Sequence, residues 1–138
     1  MNIVLIILAW AATAFLTVVY TKAGSAKLTK PIEGLAAAGL AWVKQVPAFV
    51  VRLIGLLELI GVYGLILASV AFEFVPGFEW AQSLAVAAAF GLVLVMLVAI
   101  IMHTSRKEIK YTYKINLQLF FAALVAAVAL SLVTLPLI

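Results

Sequence analysis

The sequence predicts an all-α membrane protein: a four-transmembrane-helix bundle with a short interfacial helix between helices 1 and 2. Three observations carry that prediction. Of the 138 residues, 68% are hydrophobic and only 10% are charged, and the mean hydropathy is +1.33; such a balance belongs to integral membrane proteins. Four apolar runs are each long enough to cross the roughly 30 Å hydrocarbon core at about 1.5 Å per residue. One acidic residue, Glu58, stands well inside the second run. A carboxylate there costs roughly 2.5 to 3.5 kcal/mol on insertion scales, so it points into a bundle and toward a partner, a proton or a function.

The first span covers about residues 2–20, without a charge. A cleaved signal peptide is the alternative, but no basic residue precedes the run, and the run is too long for its apolar core. Residues 22–31 read as a polar loop in which Gly24 and Ser25 suit a helix end. Pro31 then fits the first position of a new helix. Over about 31–45 Ile32, Leu35, Gly39, Trp42, Val43 and Val46 recur at three- and four-residue steps. That length is too short to span and reads as a helix in the interface, with Trp42 at headgroup depth. A loop packed over the bundle is the alternative.

Pro47 opens the second span, about 48–72. Pro76 and Gly77 make a short turn between Glu73 and Glu79, with Phe74, Phe78 and Trp80 as an aromatic belt. The third span covers about 81–102, with Ala85, Ala88, Gly91 and Ala99 as a small-residue face. A second basic loop runs from His103 to Lys114, where Tyr111 and Tyr113 read as interface anchors. The fourth span covers about 115–135, before Pro136. One domain, 1–138, is expected.

Every Lys and Arg lies in or beside the first and third loops: Lys22, Lys27, Lys30, Lys44 and Arg52, then Arg106, Lys107, Lys110 and Lys114. The positive-inside rule places those loops in the cytoplasm and both termini outside. The expected location is therefore a cell membrane, the bacterial inner membrane in the first instance. The net charge of +4 is an orientation signal, and no nucleic-acid partner is expected.

This topology gathers Lys27, Arg52, Glu58, His103 and Asn116 toward one end of the bundle. Gly55 and Gly61, three residues either side of Glu58, share its face at about 100° per residue, together with Ser69. With Gly24 and Gly64 they are the candidate helix-packing positions. Arg52 lies about 240° from Glu58 around the helix, so the two do not face one another. Snorkelling to phosphates is one reading of Arg52; a partner to Glu58 from another helix, Lys27 ahead of Arg52, is the expected ion pair. A protonated Glu58 acting as a hydrogen-bonding clasp is the other reading. The chain has no cysteine and one histidine. It therefore makes no disulfide, thiolate site or ordinary intrachain haem or zinc centre. No hydrolase or nucleotide-binding motif is present, so an autonomous hydrolase is not expected; the sequence identifies no catalytic residue, and no metal or intrinsic cofactor is expected.

The pattern resembles the DoxX-like family of small four-helix membrane proteins. The resemblance rests on Gly24, Lys27 and Leu28 at the end of the first span, and on Arg52, Gly55, Glu58, Gly61 and Gly64 in the second. His103 after the third and Asn116 in the fourth complete it. It covers nearly the whole chain. It implies a helper inside membrane complexes. Members of the family are linked to thiosulfate:quinone oxidoreduction and to complexes answering oxidative stress, and the animal chaperone of nicotinic receptor assembly looks like a distant relative. The expected function is an accessory or assembly subunit. The alternatives are a quinone-linked oxidoreductase subunit, with a quinone or lipid held by the polar residues, and a small proton-coupled transporter using Glu58, which four helices could build only as an oligomer. Expected partners are membrane lipids and other integral membrane proteins, with a homo-oligomer open.

Overall fold

The computed structural model describes residues 2–38, 40–105 and 109–132. Four long helices pack in a ring: α1 (Asn2–Thr29), α3 (Ala48–Phe74), α4 (Ala81–Ser105) and α5 (Ile109–Leu132). The large interfaces are α1 with α3, α3 with α4, α4 with α5 and α5 with α1, so α1 lies diagonal to α4. All four helices are long and apolar enough to cross a membrane. Short α2 (Ile32–Ala37) and a 3-10 turn (Ala41–Gln45) connect α1 to α3.

Each helix buries one stripe at three- and four-residue steps. On α1 it is Ala9, Ala12, Thr13, Leu16, Tyr20, Gly24 and Lys27; on α3, Val51, Gly55, Glu58, Val62, Leu65, Ser69 and Phe72. The core between them is closed by Ala81, Ala85, Ala89, Leu92 and Met96 of α4 and Leu119, Ala123, Ala126 and Leu130 of α5. Alanines at the α4 and α5 contacts let the backbones approach, which is how helices associate where lipid is as apolar as leucine. The outward faces carry large apolar groups such as Ile3, Leu53, Leu67, Leu94 and Val98, as helices surrounded by hydrocarbon do.

Four sequence expectations are corrected. First, α1 does not end at Tyr20; it continues through the region read as a loop to Thr29. Ala, Lys and Leu there are good helix formers, and the segment packs on α3. Second, residues 31–45 are not one interfacial helix. They form two short pieces that fold over the end of the bundle, where Leu35, Trp42 and Val43 are buried with Val51. Trp42 is 4% exposed, so it packs into the protein and offers no face to lipid. Third, α5 begins at Ile109, inside the expected second basic loop. Fourth, the buried small face of α4 is Ala81, Ala85 and Ala89, while Gly91 points outward. Gly39, Arg106, Lys107 and Pro136 lie outside the described residues, as do the side chains of Lys110, Tyr111 and Tyr113.

Between α3 and α4, Gly77 has a φ of 87°, a left-handed conformation that glycine adopts without a side-chain penalty. This tight turn sets α3 and α4 antiparallel. The aromatic residues around it, Phe74, Phe78 and Trp80, are exposed.

Candidate functional site: a buried ion pair among four helices

The site starts from two glycines. A Cβ on Gly55 would lie 2.8 Å from the carbonyl oxygen of Gly24 and 2.8 Å from Cβ of Lys27. A Cβ on Gly24 would lie 2.9 Å from the Gly55 carbonyl oxygen. Real side chains do not fit at either place, so α1 and α3 cross backbone on backbone. That crossing seats the stem of Lys27 against Gly55, one turn from Glu58.

Helix direction does the rest. Side chains lean toward the N-terminus of their own helix, and α1 and α3 run in opposite senses. Lys27 therefore leans inward along the bundle while Glu58 leans back toward it. Lys27 Nζ donates to both Glu58 oxygens at 2.9 Å. The side chains are 10% and 5% exposed. Lys27 has three N–H donors, and the carboxylate takes two of them.

Arg52 is not part of that pair. It donates to the carbonyl oxygens of Lys27 and Lys30 at 2.6 and 2.7 Å. The Lys27 carbonyl belongs to the last turn of α1 and the Lys30 carbonyl lies one residue beyond it; no intrahelical donor remains for them, and a cation there also complements the helix dipole. Pro31 has no N–H to give the Lys27 carbonyl, so Arg52 caps the end of α1, and the same helix end that supplies Lys27 is held by α3 twice.

Asn116 and His103 are both buried, at 7% and 6% exposure. His103 closes the last turn of α4 beside Met102, which packs against the residues covering the basic end. Among the candidate packing glycines, Gly24 and Gly55 make the crossing described. Gly61 faces Leu92 of α4, whose Cδ2 lies 3.0 Å from where a Cβ on Gly61 would stand. Gly64 is the exception: nothing lies within 4 Å of the corresponding point, so it packs against no neighbouring helix. It stands one residue off the Val62–Leu65 stripe and turns outward.

Two buried residues carry no sequence signal of their own. Tyr20 is completely buried and Thr13 is 1% exposed, both on the α1 stripe that ends at Lys27. The seven-residue spacing of Thr13, Tyr20 and Lys27 is the pattern that could have found them. Among the described residues, the Tyr20 hydroxyl, the Thr13 hydroxyl and the Asn116 amide nitrogen have no hydrogen-bond partner. Among the described residues, no group of three or more His, Cys, Asp or Glu is placed to hold a metal ion.

The family model described as DoxX-like matches residues 7–128. The chain belongs to the DoxX-like family. The matched region runs from the first turns of α1 to the last turns of α5 and includes Gly24, Lys27, Arg52, Gly55, Glu58, His103 and Asn116. No curated protein and no solved structure matches the chain.

Proposed function

We propose that this DoxX-like protein is an accessory or assembly subunit that packs against other integral membrane proteins. The observation that carries the reading is the pair of unfilled glycines, Gly64 and Gly91. Each has nothing within 4 Å of where a side chain would begin. The two lie on adjacent helices near mid-bundle, since Gly61 meets Leu92. Glycine costs helix stability, and neither position repays it inside this chain. In a membrane, glycine on a helix surface lets a second helix come close.

The charged residues support the same reading. Glu58 and Lys27 engage one another, and Arg52 engages the α1 carbonyls. These groups hold the bundle together, as a scaffold requires.

The test compares the parent with Gly64→Leu and Gly91→Leu, each purified in mild detergent with its bound proteins. Both variants keep the helical content of the parent and lose a membrane protein that the parent retains. An unchanged set of bound proteins in both variants refutes the reading.

A further inference from the structure

Arg52 spends only part of its guanidinium on capping α1. Both bonds, to the carbonyl oxygens of Lys27 and Lys30, start from Nη1, which carries two hydrogens. A guanidinium has five N–H donors in a fixed planar fork. The Nε hydrogen and the two on Nη2 are therefore uncommitted, while the Nη1 bonds hold the plane of the fork still. Among the described residues no carboxylate pairs with Arg52; the ion pair of the bundle is Lys27 with Glu58. The edge through Nε and Nη2 offers two parallel N–H groups, an arrangement that matches two oxygens of a phosphate.

The surroundings restrict the anion further. The Lys30 carbonyl oxygen lies 2.7 Å from Arg52 Nη1, and the Lys30 side chain is exposed. Two cations thus share one patch where α1 ends. Phe49 and Leu56 stand three residues before and four after Arg52 on α3, so all three share a helix face; Phe49, Leu53, Leu56 and Ile60 are all exposed. The guanidinium is set into an outward apolar strip. A fixed cation in such a strip fits an amphiphile, with its phosphate on the fork and an acyl chain along Leu53, Leu56 and Ile60. Lipid phosphates surround the end of every spanning helix, whereas a partner's carboxylate would have to be brought there. Two clustered cations favour a headgroup of net negative charge.

We infer that Arg52 and Lys30 form a binding site for one anionic phospholipid on the outer side of the α1–α3 contact. A snorkelling side chain is flexible and finds whichever phosphate is near; here the guanidinium is oriented before the lipid arrives. The site is twelve residues along α3 from Gly64 and needs no partner protein, so it stands or falls separately from the docking reading.

The experiment uses the full chain purified in mild detergent. Native mass spectrometry counts bound lipid as phosphatidylglycerol or phosphatidylcholine is titrated in. The parent is expected to retain one phosphatidylglycerol at a several-fold lower concentration than phosphatidylcholine. Lys30→Gln leaves the cap intact, because only the Lys30 backbone takes part in it, and is expected to lose several-fold in phosphatidylglycerol retention while melting like the parent without added lipid. Arg52→Lys keeps the charge, loses the fork and is expected to bind more weakly still. Lys114→Gln, on α5 across the ring from α3, stays at the parent level. Equal retention of the two lipids by the parent overturns the inference. So does an equal loss in Lys114→Gln, which is plain charge attraction, or a preference that survives both Lys30→Gln and Arg52→Lys. If the preference survives both while a co-purified protein is lost, the patch belongs to a protein carboxylate and the inference falls. If Arg52→Lys does not fold, Lys30→Gln alone decides.

Discussion

Lys27→Met removes the ammonium and keeps most of the stem that lies on Gly55. Glu58, 4% exposed, then loses both 2.9 Å contacts and keeps its charge in an apolar layer. Breaking a buried pair from one side costs about 3 to 5 kcal/mol, or roughly two to three and a half powers of ten in the folding equilibrium. Glu58→Leu strands Lys27 in the same way. The double variant Lys27→Met with Glu58→Leu strands neither, and replacing both ions by apolar groups is often neutral or better. A double-mutant cycle separates this from ordinary hydrogen bonding, since neutral polar contacts in membrane bundles average only about 0.6 kcal/mol. Reversible unfolding in mixed micelles titrated with sodium dodecyl sulfate, followed by helicity, measures all four species. The expected coupling exceeds about 2 kcal/mol, and the double variant is more stable than either single one. Losses that simply add, within the roughly 0.5 kcal/mol expected of independent sites, refute a charge pair as the clasp between α1 and α3.

Gly55→Ala forces a methyl against the Gly24 backbone carbonyl and is expected to cost about 1 to 3 kcal/mol, the range for overpacking. Gly61→Ala meets only the movable end of Leu92 and costs less. Gly64→Ala meets nothing and leaves the purified chain at or above parent stability; if the three variants melt together, the assigned faces are wrong. Arg52→Met removes two charge-assisted bonds to α1 carbonyls, each worth roughly 1.5 to 3 kcal/mol when buried and less at this half-exposed position. Its signature is faster amide exchange in the last turn of α1 than in α4. For orientation, cysteines placed one at a time at Lys30 and Glu79, both exposed, are offered an impermeant thiol reagent in intact cells. Only Glu79→Cys should react, and labelling of Lys30→Cys reverses the topology.

Much of the architecture was legible in the chain. Apolar length shows where a helix can cross a membrane, because each residue contributes to that property alone. Three- and four-residue periodicity shows which face turns inward, so the inward direction of Glu58, with Gly55 one turn away, needed only the second span. The ends of the helices were less legible. Residues 22–29 look polar enough for a loop, yet they stay helical because Arg52, from another element, holds the carbonyls that end them. Gly64 shares the spacing of its neighbours, but the stripe that meets α4 passes beside it.

The sequence by itself determined a membrane-embedded helical bundle, its inward faces and the presence of a carboxylate that requires an answer. The sequence also put Lys27 ahead of Arg52 as its partner; only the tertiary structure brought Lys27 to 2.9 Å from it and turned Arg52 to the α1 carbonyls instead. The physical reason lies in register. Periodicity orients a helix about its own axis and says nothing of its level against a neighbour. That level is set where two helices touch, at Gly24 on Gly55 and Gly61 on Leu92. A slide of one turn, about 5.4 Å, would separate Lys27 from Glu58 without altering a single helix.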